Sequence, residues 1–332
     1  MYRRTYSFII SFIDSTGLAV DAEILKMAIE QSGIPIDRIR LYDGRHSKFR
    51  KLVTLLILLL EKYLFGKKQI AIHIESINTK IKSHVKTNVL IPNQEWFSKP
   101  TEQIMDDNIH VWCKTHYATD IFSPKFPLTS YIGFCSRNFF DEAIKQQSKK
   151  FLHVAGKSHQ KGTGIIMEVW KKHPDWPEMV VICRTPEINV HTPPPNNINI
   201  ITDFISEAEL LSLLNRCDIH LCLSETEGFG HYIHEGMSAG AIIVTTNAPP
   251  MNEFINMDCG FLVSYDRQEK QGYSNTYIAS SIDFEKTVNR ILRTPTSQLN
   301  TLSNNSLNTY LDNKEKFLKQ FSQNLKNLIN EL

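Results

Sequence analysis

The sequence predicts an α/β protein of two doubly wound domains, each a parallel sheet covered by helices. Three observations carry this. Short apolar runs of strand length alternate with helix-length segments along the chain, the pattern of repeated βα units. The chain has 332 residues, room for two domains of ordinary size. Within it, Ile219-His220-Leu221-Cys222-Leu223 reads as a buried strand, Glu227-Gly228-Phe229-Gly230 as a glycine turn, and His231 to Ala239 as a helix. Strand, turn and helix start in that order present backbone NH groups and the positive end of a helix dipole to an anion. The polar stretch Lys145 to Lys150 marks the boundary, which predicts domains at 1–148 and 149–309 and a C-terminal helical segment at 310–332.

Composition narrows the class. Hydrophobic content is 42% and charged content 22%, which is globular, and the formal net charge of +2 is too near neutral for a nucleic-acid protein. Six cysteines, at 113, 135, 183, 217, 222 and 259, form no CxxC pair. His110 and His116 flank Cys113, but no second Cys/His cluster completes a zinc site, so no metal is expected. Cysteines within apolar runs pack as small hydrophobes, and such free thiols point to a reducing, cytoplasmic setting. The apolar run Phe8 to Ile13 is short for a signal peptide, is closed by Asp14 and lacks a cleavage site; it reads as the first strand. No stretch reaches the ~18 continuous apolar residues of a membrane span.

In the first half, the strand Tyr6 to Ile13 leads through the turn Asp14-Ser15-Thr16-Gly17 into a helix from Asp21 to Gln31. A single glycine there is not a dinucleotide fingerprint. Ile36 to Tyr42 is the second strand. Arg45 to Lys68 has a nearly all-apolar centre, Leu52 to Leu60, between basic flanks. Two readings stand for it: a helix lying on an anionic membrane surface, or a helix packed on the sheet with its lysines solvated. Further strands follow at Gln69 to Ile74, Thr87 to Ile91, Ile109 to Cys113 and Ser130 to Phe134.

The second half opens with the strand Phe151 to Ala155, a polar turn containing Lys157 and Lys161, and a helix from Ile165 to His173. The strand Glu178 to Cys183 precedes a proline-rich loop, His191 to Asn197. Asn199 to Phe204 reads as a short strand and turn, and Ser206 with Glu209 forms a capping box for the next helix. Gly240 to Thr245 and Gly260 to Ser264 supply the last strands, and Ile282 to Leu292 and Gln298 to Leu332 are helical.

Glu227-Gly228-Phe229-Gly230 with Glu235 resembles the Glu-x7-Glu signature of retaining glycosyltransferases of the GT-B fold, family 4 in particular. The turn, strand and helix start around Gly240 to Thr245 and Asn252-Glu253 resemble the same family. So does the strand and turn at Phe151 to Gly162, where Lys157 stands at the usual arginine and Lys161 at the usual lysine. A lysine keeps the charge there but not the bidentate fork. The resemblance implies two Rossmann-like domains facing a cleft and a nucleotide-diphosphate sugar, UDP- or GDP-linked, as donor, with no prosthetic group and no metal. Lys157, Lys161 and the NH groups of Gly228, Phe229 and Gly230 would hold the diphosphate. Glu227 would accept hydroxyls of the transferred sugar and Glu235 those of the ribose. Gly17 and Thr16 would lie near sugar and acceptor, and Thr202 near the nucleobase. Relatives carry a donor-touching histidine after one first-domain strand. Here that loop reads Asn93-Gln94-Glu95, which leaves Asn93, Gln94 and His116 as candidates.

The implied activity is metal-independent transfer of a hexose, with retention, to a glycan or lipid-linked acceptor in lipopolysaccharide or polysaccharide biosynthesis. The enzyme would be cytoplasmic, with Arg45 to Lys68 as its contact with a membrane. The C-terminal helix, Tyr310 to Ile329, would brace the first domain. Two other readings remain: a sugar-nucleotide epimerase or glycan phosphorylase on this fold, and a sugar-nucleotide-binding protein without catalysis.

Overall fold

A computed structural model describes residues 5–13, 16–65, 68–185 and 195–331. Asp14, Ser15 and the loop residues 191–194 lie outside the described residues. The chain forms two compact units. The first comprises Met1–Cys135, Gln271–Ser274 and Asn313–Leu332, and the second Ser136–Lys270 and Asn275–Asp312.

The first unit is a six-stranded parallel sheet: β1 (Tyr6–Phe12), β2 (Ile36–Asp43), β3 (Lys68–Ile74), β4 (Thr87–Ile91), β5 (Ile109–Cys113) and β6 (Thr129–Tyr131), in the order β2-β1-β3-β4-β5-β6. Helices α1 (Thr16–Gln31), α2 (Lys48–Phe65), α3 (Thr79–His84), α4 (Lys99–Glu102) and α5 (His116–Phe122) connect the strands. Every residue of β1 and β4 is buried, as in parallel strands covered on both sheet faces, and apolar residues dominate both. Ile9, Leu58, Ala71 and Ile81 form one apolar cluster of this unit and Leu90, Phe97, Val111 and Phe122 another.

The second unit repeats the plan. Its strands are β7 (Gln147–Gly156), β8 (Met179–Cys183), β9 (Ile198–Ile201), β10 (Cys217–Cys222), β11 (Ile242–Thr246) and β12 (Gly260–Val263), ordered β12-β11-β10-β7-β8-β9 and parallel throughout. Helices α6 (Thr163–Lys171), α7 (Glu207–Arg216), α8 (His231–Ser238) and α9 (Ser281–Arg293) flank it. Between β12 and α9 lies a small two-stranded sheet, β13 (Tyr265–Gln271) and β14 (Ser274–Ala279). The last helix, α10 (Thr296–Asn330), gives residues 296–312 to the second unit and 313–330 to the first. Tyr310 is buried in the second unit and donates to the Ser136 carbonyl oxygen at 2.9 Å. In the first unit Phe321 meets Trp112 edge to face and Phe317 lies against Phe134.

The structure corrects several sequence readings. α1 starts at Thr16, ahead of Asp21. The polar residues 147–150 belong to β7 rather than to a linker, because the N–H groups of Lys149 and Lys150 donate to the Asp218 carboxylate at 2.9 and 3.0 Å and Gln147 pairs with Cys217. Strand β13 was not foreseen: six of its seven residues are exposed, so it lacks the apolar alternation that signals a strand. The capping box at Ser206 and Glu209 is present as expected, and all six cysteines are free and buried. Within residues 45–68, α2 buries Leu58 on its sheet side, as the sheet-packing reading expected, and leaves Leu52, Leu56 and Leu60 exposed.

Candidate active site

In each sheet the chain winds outward in one direction and then returns to wind in the other. The reversal falls between β1 and β3 in the first unit and between β7 and β10 in the second. Loops diverge at the carboxyl ends of such strands and leave a crevice, the usual ligand position in doubly wound sheets. In the second unit the two loops bordering it are residues 156–162, between β7 and α6, and residues 223–230, between β10 and α8. They are the loops that carry the lysines and the Glu-Gly-Phe-Gly turn.

Both loops end in a left-handed glycine at the helix start. Gly162 has φ +70° and caps α6; Gly230 has φ +94° and caps α8. A Cβ on Gly162 would collide with the carbonyl oxygen of Leu223, so the close approach of the two loops requires glycine there. The Glu225 N–H donates to the Gln160 carbonyl oxygen at 2.9 Å and ties one loop to the other.

This places Lys161 Nζ against Glu227 Oε1 in a direct ion pair. Ser224 Oγ donates to the same carboxylate and contacts the Tyr232 hydroxyl, and Lys161 Nζ sits 3.9 Å from the centroid of the Tyr232 ring. Burial holds the Tyr232 phenol well above its ordinary range, with the nearby Glu227 carboxylate adding to the effect, so it remains a neutral hydrogen-bonding group. Lys157 is exposed on the same turn as Lys161. Glu235, about one turn into α8, has Ser136 Oγ at 3.4 Å and Arg137 at 3.8 Å. Ser136 Oγ also lies 2.9 Å from His231 Nδ1. Gly228 and Phe229 are buried in the loop, with the Phe229 ring stacked on His234 at 4.2 Å. Thr202 follows β9, one strand beyond β8, and is exposed.

Behind the loops lie buried histidines. His153 on β7 contacts the Leu221 carbonyl oxygen and Thr163 Oγ1, each at 2.8 Å, and so joins β7, β10 and the start of α6. Burial pushes its pKa down to about 4. His220 behaves alike, at about 4, and His234 falls to about 3 through burial and the neighbouring His231. Among the described residues, no group of three or more His, Cys, Asp or Glu side chains could hold a metal ion.

Residues 193–273, which include both carboxylates and the glycine turn, match the family model described as Glycosyl transferases group 1. The fold of the chain is that of GT-B proteins. The structure of Anabaena Alr3699/HepE in complex with UDP and glucose is similar at 14% identity and TM-score 0.62, over 98% of this chain and 100% of that one. A glycosyltransferase from Rickettsia africae is similar at 15% identity and TM-score 0.64, over 97% and 99%. Sucrose-phosphate synthase from Thermosynechococcus elongatus is similar at 12% identity and TM-score 0.69, over 99% and 100%. No curated protein sequence matches this chain.

In the first unit of this GT-B chain, Gly17 is exposed near the start of α1, after β1 at that sheet's reversal point. Asn93 is buried and its Nδ2 donates to Glu75 Oε2 at 3.0 Å. Gln94 is also buried, and its carbonyl oxygen accepts from the Tyr273 N–H at 2.9 Å. His116 is exposed at the first position of α5, stacked on Tyr131 at 3.9 Å. Asn93 and Gln94 thus share the loop after β4, while His116 stands on α5. His73 is structural: it meets Asn88 Oδ1 at 3.0 Å and accepts from the Asn78 N–H.

Sequence reasoning missed Ser224 and Tyr232, which hold Glu227 and Lys161, and Ser136, Arg137 and His231 around Glu235. The first pair sits within eight residues of Glu227 and could have been found by asking which hydroxyls flank the motif. Ser136 and Arg137 had no such signal, being about a hundred residues from Glu235.

Proposed function

We propose that this protein is a retaining glycosyltransferase that moves a hexose from a UDP- or GDP-linked donor to a glycan or lipid-linked acceptor. The second unit takes the donor and the first unit the acceptor. The observation that carries the reading is the Lys161–Glu227 pair at the strand-order reversal of the second sheet, bordered by two glycine-capped helix starts. The UDP and glucose bound by Anabaena Alr3699/HepE support a nucleoside-diphosphate sugar as the donor.

The chemistry follows from the charges. Cleaving the anomeric bond leaves negative charge on the diphosphate and positive charge on the sugar ring, so the largest gain comes from stabilising the departing diphosphate. Lys161, Lys157 and the NH groups of residues 228–230 supply that charge, in the role a metal ion plays elsewhere. A diphosphate brings more negative charge to Lys161 than one carboxylate does. Donor binding therefore draws Lys161 from Glu227, and the released carboxylate accepts hydroxyls of the transferred sugar. Glu235 takes the ribose hydroxyls, and Thr202 lies beside the base. The acceptor oxygen bonds to the anomeric carbon on the face the diphosphate leaves, and a leaving phosphate oxygen receives the acceptor proton.

A thermal-shift panel of UDP-, GDP- and ADP-sugars tests the reading, because a ligand that binds only the folded state raises the melting temperature by mass action. A UDP- or GDP-sugar is expected to raise it in the wild type and not in Lys161→Ala. No shift with any of them sinks the donor assignment. Product analysis by NMR is expected to show a retained anomeric configuration; sugar phosphate or an epimerised free sugar would replace transfer with one of the other activities. The lipid-linked form of the acceptor would sit at a membrane surface, and residues 45–68 are the segment of this chain suited to contact one.

A further inference from the structure

Large apolar side chains are exposed at many points of the molecule, but on α2 they form a line. Phe49 is 76% exposed, Leu52 65%, Leu56 54% and Tyr63 73%, with Val53 and Leu60 also exposed. At about 100° per residue, positions 49, 52, 53, 56, 60 and 63 fall within an arc of roughly 100°. Leu58, on the opposite side, is fully buried, in a cluster with Ile9, Ala71 and Ile81. The helix thus has two apolar faces: one covers the sheet and the other covers nothing among the described residues. A contiguous stripe of this kind marks an interaction surface, in contrast to the scattered hydrophobes of an ordinary surface.

Charge identifies the partner. Arg45 pairs with Asp43 at 2.7 Å, and beyond that pair the sequence to position 68 carries Lys48, Arg50, Lys51, Lys62, Lys67 and Lys68 against one carboxylate, Glu61. Glu61 is buried and takes both oxygens to Arg40, at 2.5 and 2.9 Å, so α2 offers no acid to solvent. Lys48 and Arg50 fall on either side of the apolar stripe by the same 100° rule. Lys48, Arg50 and Lys51 also stand in or beside the first turn, at the positive end of the helix dipole, where cations are unfavourable unless an anion is near. Among the described residues, no helix is long and apolar enough to cross a membrane, so this face can lie only along a surface.

We infer that α2 docks on an anionic lipid surface, its stripe from Phe49 to Tyr63 in the acyl boundary and its flanking lysines and arginines among phosphate headgroups. An apolar stripe with basic edges is the arrangement that binds in the plane of such an interface, through buried apolar area plus attraction to anionic lipid. The inference stands on α2 alone and is independent of the donor assignment.

The test is co-sedimentation of the purified full chain with vesicles of pure phosphatidylcholine and of phosphatidylcholine with phosphatidylglycerol. Binding is expected to the anionic vesicles, to weaken as salt rises, and to be at least about tenfold weaker to the neutral ones. Each basic side chain near an anionic surface is worth roughly a fivefold change in partitioning, so Lys48→Glu with Arg50→Glu should weaken binding at least about 25-fold. Leu52→Glu with Leu56→Glu should abolish it while the far-UV spectrum and melting temperature stay unchanged, since both side chains are exposed. Equal binding to both vesicle types, no binding to either, or variants that bind like the wild type would each overturn the inference. So would a dimer in sedimentation velocity that the leucine variant dissolves, which would make a second copy of the chain the occupant of the stripe. Sugar-nucleotide thermal shifts on the same preparations need no lipid, so failure of the docking and failure of the donor assignment are told apart.

Discussion

Each unit holds a lysine–carboxylate pair that joins distant parts of the sequence, and the two pairs differ in access to water. In the second unit Lys161 and Glu227 retain 18% and 12% side-chain exposure at the end of the sheet, between two glycine-capped helix starts. In the first unit Lys114 and Asp21 lie 3.0 Å apart at 3% and 2% exposure, with Lys114 also near the Phe134 ring. The chemistry is the same in both. A buried pair has lost hydration, which the attraction between its charges must offset, so it acts on stability. A pair still reached by solvent can exchange partners with an incoming anion, so it can act on a ligand. Access, rather than residue type, separates a structural ion pair from a candidate binding pair.

Breaking each pair in turn sharpens the contrast. The largest expected effect on stability is Lys114→Ala, which removes the cation beside the buried Asp21 carboxylate and should cost about 3–5 kcal/mol in denaturant unfolding. Replacing both residues with apolar ones of similar size should recover most of that loss. A loss below about 1 kcal/mol from the single substitution would mean that Asp21 finds water or another partner. Lys161→Ala should behave in the opposite way: unfolding changes by less than about 1 kcal/mol, while kcat falls roughly 100- to 1000-fold, the scale for removing one charge-stabilising group. Wild-type kcat in that variant would remove Lys161 from the leaving-group site.

A further effect concerns pH and is smaller for each group involved. His73, His153 and His220 are held down to about 4 and His234 to about 3, in each case mainly by burial. The folded chain keeps them neutral, whereas the unfolded chain takes up protons near pH 6.5. Stability from this source is complete above about pH 6.5 and is lost as pH falls from there toward 4, at about 1.4 kcal/mol per pH unit for each histidine. Melting temperature should therefore drop between pH 7 and 5, and less so in a His153→Gln variant. A flat profile over that range would show that these histidines become protonated without unfolding.

Much of the fold was legible because buried parallel strands announce themselves. Residues 70–74, 87–91 and 219–223 are mostly apolar since both sheet faces are covered, and the polar residues in them, such as His73, Asn88 and His220, are buried too. The capping box at Ser206 was legible because its bonds close within four residues. Strand β13 was not, because it is polar and mostly exposed, nor was the start of β7, because its polar residues are held by Asp218, about seventy positions away. Of the candidate site, the residues on the two glycine loops could be named from local pattern, while Ser136 and Arg137 beside Glu235 could not.

The sequence by itself determined the alternation of strands and helices, the positions of the glycine turns, and the presence of two lysines and two carboxylates near them. Those properties are local, set by the period of apolar residues and by which residues tolerate a left-handed backbone. Only the tertiary structure decided the strand order that makes β7 and β10 neighbours and so brings Lys161 to Glu227 across 66 positions. It also decided that α2 covers the sheet with one apolar face and leaves the other exposed. Strand order and burial are outcomes of packing the whole chain, and a run of leucines reads the same whether its faces are covered or bare.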